Sequence, residues 1–250
     1  AHSLSLSDQM SVGAHTGEHT GLSDHFYKSD KTHHSDFSAT CFIAIAAHEQ
    51  LEDDLEQSSH CLYSFSVVAI ESTKQVGSNI NKLLTELIKT LRRRFHGKPI
   101  IFAPESSIIS FCLSLAEAAS AAGALVCYYE TTGKYMNPGI PCTASSKDEW
   151  LRQCQVVMNS RAIRLCQNYI CLSSEDREAV LKDLYSQVTM LRVFSKGPTA
   201  APLISGKCDS NGNVKNTLAA DDMAISYLIA VSTASRLANN PQSIPMGEFS

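Results

Sequence analysis

Residues 77–129, GSNINKLLTELIKTLRRRFHGKPIIFAPESSIISFCLSLAEAASAAGALVCYY, decide the fold class. Ile80, Leu83, Leu84, Leu87, Ile88 and Leu91 recur at helical spacing, with Lys, Glu and Arg elsewhere, so 77–95 reads as an amphipathic helix. Arg92, Arg93 and Arg94 complement the negative end of its dipole, and Gly97 stops it. Pro99 opens the strand-like run PIIFAPE, a second helix follows over 106–122, and 124–129 is a strand. Helix, strand, helix, strand at this spacing implies a parallel portion of sheet, because parallel neighbours need a crossover element between them.

On the N-terminal side, Leu4 and Leu6 alternate with serines up to Asp8, a short strand that ends on a carboxylate. From Met10 to Phe37 large aliphatics are few and His, Ser, Gly and Asp abound, the pattern of a long polar loop or hairpin. Two strand-like runs follow, 39–48 and 61–72, separated by an acidic turn over 49–59. With the first segment they form an antiparallel meander. On the C-terminal side come a turn-rich stretch over 137–146, a helix over 147–159, a short segment over 162–171 and a helix opened by Ser173 or Ser174. The last strong element is a helix over 218–237 with Asp221 and Asp222 in its first turn. No internal repeat or low-complexity tract interrupts this order.

A chain of 250 residues with 44% hydrophobic and 18% charged residues can bury a sizeable core, which excludes disorder of the whole. Nine cysteines without a C-x-x-C pair, in a chain too long to need stapling, point to reduced thiols. The longest apolar stretch, 108–129, is interrupted by Glu117, serines and Gly123, so no membrane span is expected. The opening residues show no secretory pattern. A net charge of −4 gives no global attraction to nucleic acid, so any such binding needs a local basic patch or bound cations.

Three carboxylate positions fall where a sheet edge exposes side chains: Asp8 ending the first strand, Glu105 past the fourth, and Asp221 with Asp222 opening the last helix. If adjacent strands and a helix start bring these acids together, their like charges repel unless protons or cations compensate. Hard oxygen donors suit magnesium or manganese, and two such ions about 4 Å apart activate water and stabilise a leaving phosphodiester oxygen. The plain alternative for each acid is a turn or a helix N-terminus. Adjacent helix positions point about 100° apart, so Asp221 and Asp222 are expected to divide into a direct ligand and a supporting residue.

The element order, the segment IIFAPESS (100–107), and above all Ser205-Gly206-Lys207 followed by LAADDMAISYLIAVSTASRLA (218–238) resemble the C-terminal nuclease domain of the herpesvirus DNA-packaging terminase large subunit. The first motif departs from that pattern, with Asp8-Gln9-Met10-Ser11 in place of an aspartate followed by Pro-Ala-Phe. The resemblance implies an α/β fold of ribonuclease H-like, integrase-type architecture, a mixed central sheet flanked by helices, forming a single nuclease domain over 1–250. It implies a two-metal endonuclease, using Mg2+ or Mn2+, that cuts concatemeric viral double-stranded DNA during genome packaging. Residue by residue, Asp8, Glu105 and Asp221 or Asp222 become the catalytic metal ligands. Lys207 becomes a contact to the phosphate or the attacking water, and Arg92, Arg93, Arg94 and Lys98 become candidate DNA-backbone contacts. Implied partners are other terminase subunits, the capsid portal and further copies of the chain, in the host cell nucleus and away from membranes. No G-x-x-x-x-G-K-[ST] loop occurs, so the resemblance puts the packaging ATPase on a part of the protein outside this chain. An integrase or recombinase-type strand transferase shares the same acids, and a scaffold domain could keep the fold without catalysis.

Competing features are weaker. His15, His19, His25, His33 and His34 fall in the polar stretch, but glycines there spoil the helical geometry that His15 and His19 need to bind zinc. His48-Glu49 lacks the second histidine of a zinc protease, and the cysteines carry no local nucleophile signature. Asp209, Asn211 and Asn213 around Gly212 are too few for a calcium loop.

Overall fold

The computed structural model describes residues 10–16, 40–49, 63–74, 78–131, 136–194, 203–205 and 221–249. In chain order the elements are β1 (Met10–Thr16), β2 (Thr40–Glu49), β3 (Tyr63–Thr73), α1 (Ser78–Arg94), β4 (Ile100–Pro104), α2 (Ile109–Ala121), β5 (Leu125–Glu130), β6 (Met136–Pro138), α3 (Ala144–Asn159), β7 (Ile163–Ile170), α4 (Arg177–Met190), β8 (Arg192–Phe194), β9 (Leu203–Ser205), α5 (Asp222–Asn239) and β10 (Met246–Gly247). The main sheet runs β10-β5-β4-β1-β2-β3-β7, with β6 beside β5. β1, β2 and β3 are antiparallel in turn, whereas β1 with β4, β4 with β5, and β3 with β7 are parallel. The expected mixed sheet is therefore present. Among the described residues no helix is long and apolar enough to cross a membrane.

Strand alternation assigns the two faces. Cys41, Ile43, Ile45 and Ala47 of β2, with Ile101 and Ala103 of β4, pack with residues of α3, α4 and α5. Phe42, Ala44 and Ala46, with Ile100 and Phe102, pack against α1 and α2. The stripe read from the sequence is the buried face of α1: Ile80, Leu84, Leu87, Ile88 and Leu91. Each such side chain contributes roughly 1.5–3 kcal/mol on burial. α5 is buried almost all round, which its run of Ala, Ser, Ile and Leu permits: small residues let a helix lie close over the sheet.

Several boundaries differ from the sequence reading. The N-terminal strand seen is Met10–Thr16, inside the stretch expected to be loop, while Leu4–Asp8 lies outside the described residues. Its alternation, Met10, Val12 and Ala14 against Ser11, Gly13 and His15, is hard to see when large aliphatics are sought. The segment over 162–171 is the edge strand β7, paired with β3. α3 starts at Ala144 because Thr143 caps it by accepting from Ser146 N at 3.1 Å. The β8–β9 ribbon carries too few residues per strand to show a period.

Candidate active site

The topology collects one end of several strands at a single edge. Ala14 of β1 pairs with Pro104 of β4, Thr16 with Thr40 of β2, and Thr40 with Thr73 of β3. The ends of β1, β3 and β4 and the start of β2 therefore share the edge at which Glu105 emerges. By alternation Glu105 follows Ile101 and Ala103 onto the face covered by α5, and it is only 4% exposed.

Residues 138–142 are laid against this strand end. Glu105 bridges Ile140 in parallel, Ile140 N donates to Pro104 O at 2.7 Å, and Ser106 N donates to Ile140 O at 3.0 Å. Gly139 makes that approach possible: its φ is +100°, and a Cβ there would lie 2.6 Å from Pro104 O. Ser107 donates to Glu105 Oε1 from its amide at 3.1 Å and also from its hydroxyl. This explains why α2 begins at Ile109, later than the sequence suggests: Ser107 is engaged in fixing the carboxylate.

Asp221 and Asp222 arrive from the other side of the same edge. Asp221 holds the N-cap position of α5 but makes no side-chain cap bond. Its Oδ2 instead accepts from Ser205 Oγ at 3.2 Å, across from β9. The helix amide of Met223 is satisfied by Gln187 Oε1 of α4 at 2.9 Å. Asp222, 1% exposed, raises the pKa of the Cys41 thiol at the start of β2, secondary to the effect of burial there. Nearby, Ser226 Oγ donates to Cys41 O at 3.2 Å, which fastens the first turns of α5 to β2. Asp221 thus meets β9, while Asp222 acts on β2.

Cys142 is the common neighbour of the acids. Its thiol is pushed up to about 12, first by burial; the Lys147 ammonium works against this, while Glu105, to which it is hydrogen-bonded, and the Asp221 charge add to it. The charges of Glu105, Asp221 and Lys147 thus all act on this one thiol. Cys112 is likewise pushed up to about 12 by burial and by Glu105.

Other expected site residues lie elsewhere. Arg92, Arg93, Arg94 and Lys98 precede β4, and Glu105 follows it, so they sit at opposite ends of a strand about 17 Å long. Arg92 donates to Ala122 O at 3.2 Å, Arg93 to Thr90 Oγ1 at 3.0 Å, and Arg94 to Asn168 O and Cys166 Sγ while lying over Phe95. Arg92 and Arg94 join α1 to other elements and Arg93 stays within its helix; all four residues lie at the other end of β4 from Glu105. Asp8 and Lys207 lie outside the described residues, as do His19, His25, His33 and His34. Met10, the first described residue of β1, pairs with Ile100, about 13 Å along β4 from Pro104.

Sequence reasoning passed over Ser107, Cys142 and Glu71, and it took Ser205 only as the head of the Ser205-Gly206-Lys207 segment. Glu71 is fully buried and accepts from Leu172 N at 2.6 Å and Ser173 N at 2.8 Å, which ties β3 to the loop after β7 at the same edge. Burial raises its pKa while those amides lower it, and the net shift is upward. An acid closing the apolar run SVVAIE was the available signal. Cys142 offered none, since its partners come from β4 and α5.

No family model and no curated protein sequence matches the chain. Solved structures do. The manganese-soaked human cytomegalovirus terminase nuclease domain superposes with a TM-score of 0.57 at 12% identity, covering 96% of this chain and 89% of that one. Its inhibitor-bound, manganese-soaked form gives 0.58 at 12% identity, covering 95% and 86%. The fold is that of a terminase nuclease domain. A third structure of the viral domain agrees, with a TM-score of 0.56 at 12% identity over 95% of this chain and 87% of that one. At such identity the likeness is one of fold: the terminase nuclease fold is ribonuclease H-like, and this chain shares it. Among the described residues no group of three or more His, Cys, Asp or Glu side chains is arranged to hold a metal ion. Glu105 and Asp221 nonetheless supply hard oxygen donors, so the donor chemistry fits magnesium or manganese.

Proposed function

We propose that the chain is a divalent-metal-dependent DNA endonuclease that cleaves concatemeric viral double-stranded DNA during genome packaging. The observation that supports this reading best is a pair of buried carboxylates held by neighbouring segments, Glu105 by Ser107 at the end of β4 and Asp221 by Ser205 at the start of α5, both of whose charges raise the Cys142 thiol. Two acids held close together and away from water repel each other, and a cation between them removes that repulsion. Support also comes from the likeness to manganese-soaked terminase nuclease domains.

Glu105 and Asp221 hold the Mg2+ or Mn2+, and Asp222 supports them from the β2 side. In the two-ion form of the proposal Asp8 is a further ligand. A bound divalent cation lowers the pKa of its water and neutralises charge on the phosphodiester. Lys147, whose charge also acts on Cys142, and Lys207 approach the phosphate, whose recognition through its backbone makes cutting salt-sensitive. Arg92, Arg93, Arg94 and Lys98 can reach only DNA that extends past the opposite sheet edge. The working assembly contains other terminase subunits, the capsid portal and further copies of the chain, in the host nucleus, with residues 1–250 as one nuclease domain.

Manganese-dependent nicking of supercoiled plasmid tests the reading. Wild-type protein nicks, and Glu105→Ala, with unchanged circular dichroism, does not. Absence of nicking by wild type, or its persistence in the variant, contradicts the proposal. Joining of labelled 3′ ends in place of hydrolysis would make the chain a strand transferase.

A further inference from the structure

Two of the acids are each gripped at one oxygen by a serine hydroxyl. Ser107 Oγ, with its own amide, holds Glu105 Oε1, and Ser205 Oγ holds Asp221 Oδ2 at 3.2 Å. The second grip is the more informative, because it crosses from a separate element. β9 pairs with β8, Ser205 lying opposite Arg192, and Ile204 beside it is 1% exposed. The ribbon is thus anchored next to α3, and the hydroxyl that follows the anchor has a fixed place. Asp221, in turn, makes no side-chain cap bond at the start of its own helix, and the Ser205 bond reaches it from outside α5. A carboxylate fixed at one oxygen presents the other in a defined direction, which lowers the entropy lost when it takes up a ligand.

We infer that Ser205, at the head of the Ser205-Gly206-Lys207 segment, is a positioning residue for divalent-metal binding: through its bond to Oδ2 it orients the Asp221 carboxylate toward a cation shared with Glu105. The serine and the lysine of this segment then have separate tasks, ligand orientation and phosphate approach. This inference rests on the proposed function.

The test uses the whole chain and a readout apart from DNA cleavage. Mn2+ is titrated into wild type, Ser205→Ala, Ser205→Thr and Glu105→Ala, and free Mn2+ is followed by its electron paramagnetic resonance signal. Thermal unfolding without metal is recorded for each. Supporting residues around metal ligands typically contribute 10–100-fold in affinity. Wild type is expected to bind Mn2+, Glu105→Ala to lose the site, and Ser205→Ala to bind about tenfold more weakly with an unfolding midpoint near that of wild type. Ser205→Thr, which keeps the hydroxyl, is expected to return to within about twofold of wild type. Equal affinity in Ser205→Ala and wild type overturns the inference and leaves the proposed function standing. A lowered midpoint with unchanged affinity also overturns it, since Ser205 is then only structural. If wild type binds no Mn2+, the functional reading fails, and the inference with it.

Discussion

Replacing Gly139 with alanine tests the link between backbone geometry and the acidic cluster. At φ +100° an L-residue is strained by about 1–3 kcal/mol. The new Cβ would also stand 2.6 Å from Pro104 O and 2.8 Å from Cys112 Sγ, and the first of these is backbone that cannot swing away. Relief requires a shift of about half an ångström or more between residues 138–140 and the end of β4. That shift stretches Ile140 N to Pro104 O and Gly139 N to Cys127 O, both 2.7 Å, at about 1 kcal/mol each. The sum is about 3–5 kcal/mol, which for a domain of this size lowers the unfolding midpoint by about 10 °C. Differential scanning calorimetry gives the midpoint, and Mn2+ titration at a temperature where the variant is folded reports on the site. The expected result is a lower midpoint together with weakened metal binding, because Cys142 and Glu105 move apart. A variant that melts within 2 °C of wild type and binds Mn2+ equally refutes the reasoning.

Asp221→Asn is expected to weaken Mn2+ binding and nicking more than Asp222→Asn, measured side by side, because the charges of Asp221 and Glu105 both act on Cys142, whereas Asp222 acts on Cys41. Arg94→Ala should lower urea stability by about 1 kcal/mol through loss of its bonds to Asn168 and Cys166, with nicking at saturating DNA unchanged; a large loss of turnover would place DNA across the opposite sheet edge. Glu71→Ala leaves the Leu172 and Ser173 amides without their acceptor, and hydrogen exchange should show faster opening of these two amides than in wild type. Cys127 and Cys154 are pushed up to about 12, chiefly by burial, from an ordinary value near 9. Folded thiols therefore keep protons that unfolded ones lose, and their contribution is fully present below pH 9 and falls as the pH rises toward 12. Urea midpoints from pH 8 to 11 should decline, and less steeply in Cys127→Ser with Cys154→Ser.

The sequence reading succeeded where a period was repeated several times. The stripe of α1, the apolar run of β4 and the long helix α5 are each specified by residues a few positions apart, so local pattern suffices. β1 escaped because its alternation uses small and polar residues, and its place between β2 and β4 comes from pairing that no local period encodes. The acids Glu105, Asp221 and Asp222 were legible as carboxylates at element ends. Their shared neighbour Cys142 and their serine partners were not, since each depends on contacts between segments far apart in the chain. The arginine cluster is a dense local charge signal at the end of α1, and its distance from Glu105 is set by topology, which no local pattern encodes.

Anomalous diffraction from crystals soaked in manganese tests the central claim most directly. A manganese peak bound by the carboxylates of Glu105 and Asp221, beside Cys142, is expected. Clear density for both side chains with no peak between them, or with manganese bound only at other carboxylates, would contradict it.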